Sequence, residues 1–191
     1  GNMGDRPGNF AVQNADLILA VGNRLPIRVV GYNWKTWARE AEVIMVDVDE
    51  AELKKHTLHV EMPIHADAKD FFEQMNTRLN GIEQPLFQGR EWVTACRKWK
   101  EKYPVVLPRH WQEDGLHANA YAFVDYLSTQ LPPRTLTVVS NGTCCVAGHQ
   151  AYVIKEGTRF FNSNAVASMG YGLPAAIGGC VANKRRTTVC L

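Results

Sequence analysis

Two unbroken apolar runs set the first limit on how this chain can fold. Residues 15–22 (ADLILAVG) and 42–49 (EVIMVDVD) show little alternation of polar and apolar positions, the first closed by Gly22 and the second by acidic residues. Runs of this length and composition read as strands buried on both faces, the situation of strands in a parallel sheet covered by helices. Parallel strands need a crossover, and residues 32–41 (YNWKTWAREA) suit a helix or an irregular connection, giving a right-handed βαβ unit.

The same rhythm continues along the chain. Asp49 stands three residues before Glu52 in DEAELKKH, the spacing of a capping box that starts a helix. MPIHAD reads as a short strand or extended turn, and DAKDFFEQMNTRLN as a helix with Phe71, Phe72, Met75 and Leu79 on one apolar face. Residues 80–117 change character: a turn-rich NGIEQPLFQG, a charged amphipathic helix GREWVTACRKWKEKY, and an irregular PVVLPRHWQEDGLH. The expected division is therefore 1–80, a linker at 81–117, and 118–191. In the last part a helix over ANAYAFVDYLSTQL is followed by strands at TLTVVS, near RFFNS and at TTVCL.

Composition narrows the class. With 46% hydrophobic and 21% charged residues, the chain can bury a core, and its net charge of +2 comes from interspersed rather than clustered charges, which argues against nucleic acid. No apolar run approaches the ~20 residues of a membrane-spanning helix, and GNMGDRPGNF lacks the layout of a signal peptide, so a cytoplasmic location is expected. Five cysteines, two of them the neighbours Cys144 and Cys145, make a disulfide framework improbable. Cys96, Cys180 and Cys190 read as small buried thiols, and no cysteine or histidine spacing forms a metal knuckle.

The densest small-residue stretch is ASMGYGLPAAIG at 167–178. Gly142 after a strand, and Gly170 and Gly172 ahead of a helix with Pro174 in its first turn, are places where backbone can approach a ligand closely. They match neither the dinucleotide fingerprint nor the phosphate loop, and close helix–sheet packing through small residues would explain them equally well.

These segments also carry a resemblance. NSNAVASMGYGLPAAIGGCVANKRRTTVCL is similar to the start of the cofactor domain of thiamine-diphosphate enzymes of the acetolactate synthase and pyruvate oxidase type, and ADLILAVGNRL with VIMVDVDEAELKKH resembles their middle domain. The resemblance implies an α/β fold: a partial, three-layer, parallel-sheet Rossmann-like middle domain, then the first part of a thiamine-diphosphate-binding α/β domain. SNGTCCVAGHQAY departs from the acetolactate synthases proper, because about four extra residues separate the glycine after the strand from His149 and Gln150, a pair that resembles one near the family's active site.

By the same resemblance, Met169 is the residue that pushes under the cofactor's two rings, the Ala167 carbonyl accepts from the pyrimidine amino group, and Ser168 and Gly170 complete that wall. Asn141, Gly142 and Thr143 lie where the family loop reaches the diphosphate. Gly22, Arg24, Asp47 and Asp49 match positions that hold FAD in flavin-containing members. On the residues alone, Asn-Gly is also a common turn pair, Asp49 is explained as a helix cap, and Arg24 could pair with a nearby carboxylate.

The family's Gly-Asp-Gly motif, which binds Mg²⁺ and diphosphate, has no counterpart in the sequence, and the glutamate that activates the pyrimidine belongs to an amino-terminal domain. The chain therefore reads as a fragment that carries no catalytic or metal-binding residue of its own and is inactive alone. The implied parent adds thiamine diphosphate to a 2-keto acid such as pyruvate, releases CO₂ and passes the carbanion-enamine to an acceptor, as a homodimer or homotetramer. A related decarboxylase or carboligase making sugar or surface-polymer precursors, and a non-catalytic nucleotide-binding module, remain open beside it.

Overall fold

In the computed structural model, residues 1, 3–82, 89–112, 116–184 and 186–191 are described; parts of the expected linker, 83–88 and 113–115, lie outside them. Residues Gly1–Tyr103 form one compact unit and Pro104–Leu191 a second.

The first unit opens with α1 (Arg6–Asn14), a helix that the sequence reading leaves unassigned. Its signal is local: Asp5 caps it by accepting from the Gly8 N–H, and Pro7 sits in its first turn, where a missing N–H costs nothing. Then come β1 (Leu17–Val21), the short helix α2 (Ile27–Val30), a 3₁₀ turn at Trp34–Thr36, β2 (Glu42–Asp47), α3 (Glu50–Leu53), β3 (Met62–His65), α4 (Ala68–Leu79) and α5 (Arg90–Lys102). The crossover between β1 and β2 is thus the irregular one of the two expected forms. All three strands are parallel in the order β1-β2-β3.

The β1–β2 register sets Ile18 beside Val43 and Ala20 beside Met45, and this face packs on Leu25, Val30, Trp37 and Leu53. Burying an aliphatic side chain of this size stabilises by about 1.5–3 kcal/mol, so this cluster is what holds the sheet to its crossover. The expectation that β1 is buried on both faces is corrected: Leu17 and Leu19 are exposed on the opposite face of what is an edge strand. The apolar face expected for α4 is likewise not buried; Phe71 and Phe72 pack edge to face on each other, and Phe72 and Leu79 are exposed. Helix α5 packs on α1 through Phe10, whose ring lies 6.0 Å from Trp99 and 5.2 Å from Tyr103.

In the second unit α6 (Ala120–Gln130), β4 (Leu136–Val138), α7 (Thr143–Ala151), β5 (Arg159–Phe161), α8 (Gly172–Ala182) and β6 (Thr188–Cys190) build another three-stranded parallel sheet, ordered β5-β4-β6. The residues of β4 and its flanks alternate between two helix layers. Thr137 and Val139 face α7 and its surroundings: the Thr137 hydroxyl is 2.7 Å from the Tyr152 hydroxyl, and Gly148 packs against Val139 and Phe160. Leu136, Val138 and Ser140 face α8, meeting Ala176, Gly179 and Gly172. Helix α6 packs on α7 through Val124, Ala147 and Ala151. Its last carbonyls are satisfied by the Lys155 ammonium, which donates to Thr129 and Leu131 at 2.6 Å each.

None of the five cysteines is in a disulfide. Of the three expected to be buried, Cys190 is exposed and Cys96 and Cys180 are half-buried; Cys145 is the buried one.

Candidate functional site

The strand order of the second sheet defines a ligand-binding position before any side chain is considered. From central β4 the chain crosses to β5 on one side, then returns past β4 to β6 on the other. Right-handed crossovers in opposite directions put α7 and α8 on opposite faces, and a crevice opens at the carboxyl ends of the two strands where the direction reverses, β4 and β6. The first sheet, ordered β1-β2-β3, has no such reversal among the described residues.

At this switch point stand Ser140, Asn141 and Gly142. The Ser140 N–H donates to the Leu191 carbonyl at 2.7 Å, tying the end of β4 to the end of β6. Gly142 has φ +91 and ψ −144, a conformation closed to other residues, and it turns the chain into α7 without a side-chain cap. The first bonds of α7 are accepted from Cys145 and Val146 by the Gly142 carbonyl, so the N–H groups of the first turn, starting at Thr143, point out of the helix end with the positive pole of its dipole.

The second wall is the loop between β5 and α8. Asn141 Nδ2 donates to the Ser168 carbonyl at 2.6 Å, clasping this loop to the β4 turn. Ala167 has φ +58, held by its N–H to the Ser163 carbonyl at 2.6 Å, while its own carbonyl accepts no hydrogen bond among the described residues. A left-handed alanine is strained, and such strain persists where surroundings over-determine it. Met169 is 92% exposed, and a Cβ added at Gly142 or Gly170 would meet nothing within 4 Å. The loop is pinned at its far end because Gly172 lies on Ser140, where a Cβ would come within 2.8 Å of the Ser140 Cβ. The structure thus joins Asn141, Gly142, Ala167 and Ser168 through one clasp, with Met169 and Gly170 on the same loop.

His149 lies inside α7, a helix the sequence reading does not foresee. Its ring is held by a hydrogen-bond network that fixes its orientation and tautomer. Asn162 Oδ1 accepts from the Asn164 N–H at 3.0 Å, so the amide nitrogen faces His149 Nε2, also at 3.0 Å. Nε2 is therefore the acceptor, and Nδ1–H donates to the Cys145 carbonyl at 2.7 Å. The ring also packs edge-on against Phe160 at 5.5 Å. Nothing local in the sequence marks Asn162 and Asn164 as neighbours of a histidine thirteen and fifteen residues away.

In the first unit the four remaining site residues cluster at the carboxyl ends of β1 and β2, each with an internal partner. The Gly22 N–H donates to the Val46 carbonyl at 2.8 Å. Arg24 Nε lies 3.2 Å from Glu52 Oε1, the local-carboxylate alternative. Buried Asp47 accepts from the Asp49 N–H at 3.0 Å, and Asp49 caps α3 by accepting from the Ala51 N–H at 2.9 Å. Asp49 is a cap, but the reciprocal Glu52 bond of a full capping box is replaced by Glu52 pairing with Arg24 and Lys55.

A doubly wound cofactor-binding domain, with an open backbone wall and an uncapped helix end at its switch point, is the class this geometry defines. The chain belongs to the thiamine pyrophosphate enzymes: residues 1–75 match the central domain of that family and residues 140–191 its C-terminal TPP binding domain. Over its whole length it is 32% identical to the acetolactate synthase isozyme 2 large subunit of Escherichia coli and 29% identical to the acetolactate synthase large subunit of Cyanidium caldarium. Over 95% of its length it is 32% identical to a probable chloroplastic acetolactate synthase 2 of rice. The chain spans 32% of the length of the Escherichia coli and Cyanidium relatives and 27% of the rice one. The TPP-binding match begins at Ser140, the residue from which the switch-point crevice starts.

Proposed function

We propose that the chain supplies one wall of the thiamine diphosphate site in an acetolactate synthase-like enzyme that acts on a 2-keto acid. The observation that carries this reading is the bond from Asn141 to the Ser168 carbonyl, which assembles the two loops of the TPP-binding match at the switch point. The residues fit the group. The α7 terminus at Gly142 and Thr143 offers N–H donors and a positive pole to the diphosphate, as helix ends do for phosphates. The Ala167 carbonyl accepts no hydrogen bond among the described residues and can take one from an amino group, and Met169 is an unbranched, polarisable side chain with room to pack under a ring. Thiamine diphosphate, when bound, supplies the electron sink that lets a 2-keto acid lose CO₂. The residues of this chain bind and orient it, and the apolar surface of Val166 and Met169 excludes water from the ring side.

Mg²⁺ accompanies the diphosphate in this reading and takes its carboxylate ligands from outside these residues; the described residues contain no group of three or more His, Cys, Asp or Glu arranged for a metal. FAD is left out, because Gly22, Arg24, Asp47 and Asp49 are each engaged within the chain. A homodimeric or homotetrameric parent is supported by the exposed apolar stripe of Leu173, Ile177 and Val181 on α8, a surface that needs cover. Among the described residues no helix is long and apolar enough to cross a membrane, and a cytoplasmic enzyme acting on small molecules, without nucleic acid, is consistent with that and with the mixed surface charge.

The test uses a polypeptide of the relatives' length containing this chain. Consumption of pyruvate that requires added thiamine diphosphate is expected, with acetolactate as product. No consumption of any 2-keto acid, together with saturable binding of nucleotides, would favour the non-catalytic module instead.

A further inference from the structure

The loop between β5 and α8 is fastened by side chains at two places. Downstream, Asn141 donates to the Ser168 carbonyl at 2.6 Å. Upstream, Asn162 and Asn164 both turn their amide nitrogens to one ring atom, His149 Nε2, at 3.0 and 3.4 Å. Ala167, with its left-handed backbone, lies between the two fastenings.

The His149 ring makes no hydrogen bond or ring contact with residues 167–170; among the described residues its polar partners are at 145, 162 and 164. Any effect on the wall is therefore transmitted through the loop, and the path is short. Asn162 Oδ1 accepts from the Asn164 N–H at 3.0 Å, which sets the turn at 162–164. Inside that turn the Ser163 carbonyl accepts from the Ala167 N–H at 2.6 Å. Placing the Ser163 carbonyl thus places the Ala167 N–H, and with it the direction of the Ala167 carbonyl. A left-handed alanine keeps its conformation only where its surroundings hold it.

The anchor must be an acceptor on a rigid element. Because Nδ1–H is committed to the Cys145 carbonyl, His149 presents a pure acceptor at Nε2, whereas a lysine or arginine would offer only donors. His149 also stands six residues after Thr143, about 9 Å along the same helix whose first turn faces the crevice. One rigid helix therefore carries both the N–H groups at the crevice and the anchor of the opposite wall.

We propose that His149 is a positioning residue: acting through Asn162 and Asn164, it holds the Ala167 carbonyl at a set place relative to the amino end of α7. Its consequence rests on the reading above, in which these two groups take the two ends of thiamine diphosphate.

Two substitutions of His149 test this. His149→Leu keeps apolar bulk against Phe160 but has no acceptor, and His149→Gln puts an amide oxygen where Nε2 stands. Amide exchange of the chain reads the loop at Ala167 and the general stability of the unit at Val139, whose N–H donates to the Phe161 carbonyl within the sheet. His149→Leu should speed exchange at Ala167 at least about tenfold more than at Val139, and His149→Gln should return it to within about threefold of wild type. Asn162→Ala cuts the same bond from the loop side and should reproduce the effect of His149→Leu, standing in for it if α7 does not tolerate leucine. In a polypeptide of the relatives' length, His149→Leu should lower kcat at least about tenfold with KM for pyruvate within about twofold, and His149→Gln should restore most of the loss. Unchanged exchange at Ala167, equal changes at Ala167 and Val139, or Leu and Gln variants that behave alike each overturn the positioning role. Unchanged kcat beside a loosened loop overturns its consequence for the cofactor. A wild-type polypeptide that consumes no 2-keto acid overturns the cofactor reading instead, and exchange at Ala167 then decides the positioning by itself.

Discussion

Adding one methyl group at two glycines of the same helix should have opposite effects. At Gly172 a Cβ would lie 2.8 Å from the Ser140 Cβ and 3.2 Å from its backbone Cα, closer than side-chain adjustment can relieve, because Ser140 is tied by its N–H to Leu191. Overpacking of this kind costs about 1–3 kcal/mol. At Gly178 a Cβ would meet nothing within 4 Å, and replacing a helical glycine by alanine there gains about 0.5–1 kcal/mol from backbone entropy. Native-state amide exchange at Val138 and Val139, buried in the central strand, reads the opening free energy of this unit directly. Since 1.4 kcal/mol is a factor of ten, Gly172→Ala should lower protection roughly 5- to 150-fold and Gly178→Ala should raise it roughly 2- to 5-fold. Equal effects of the two substitutions, or unchanged protection in Gly172→Ala, would refute the claim that α8 is seated on the end of β4 through a required glycine. The same seat positions the loop at 167–170, so in a full-length enzyme Gly172→Ala should also weaken thiamine diphosphate affinity.

Met169→Ala in the full-length enzyme should reduce turnover while the cofactor still binds, and should leave stability within about 0.5 kcal/mol because the side chain is 92% exposed; unchanged turnover would remove Met169 from the ring contact. Asp49→Ala should destabilise the first unit by about 0.5–2 kcal/mol through loss of the cap on α3, whereas Arg24→Ala should cost under about 1 kcal/mol, because Arg24 is largely exposed and Glu52 keeps its bond to Lys55; urea titration of both variants compares them, and a larger loss at Arg24 would contradict the assignment. Glu61 is held below its ordinary 4.5, first by the Val43 N–H that donates to it and to a lesser degree by His59. A depressed carboxylate contributes stability that is complete above 4.5 and is lost as pH falls through its folded value, so the melting-temperature gap between wild type and Glu61→Gln should be constant near neutrality and close below pH 4.5; a gap that widens on acidification would reverse the sign of the argument.

What could be read from the sequence was local. The strands at 17–21 and 42–47, the cap at Asp49 and the small-residue helix from Gly172 all follow from patterns within a dozen residues, because backbone hydrogen bonding and capping act over that range. The wall at 141–170 was named from its resemblance to a family motif, and its residues carry little independent signal. Helix α7 escaped the reading because TCCVAGHQA has no helical period of apolar residues; it is fixed by Gly148 fitting against Val139 and Phe160 and by His149 reaching Asn162, contacts visible only after the strands have paired. The α1 start, by contrast, was legible in Asp5 and Pro7.

By itself, then, the sequence determined the buried strands of the first sheet, the parallel α/β class and which loops could approach a cofactor. Only the tertiary structure decided the strand order β5-β4-β6 that turns those loops into one crevice, the clasp of Asn141 on Ser168, the capture of Arg24 by Glu52, and the burial of the Trp37 indole. The reason is physical: periodicity records which side of an element is apolar, whereas strand order, hydrogen-bond partners and cavities depend on which distant surfaces meet, and that is settled by packing the whole unit.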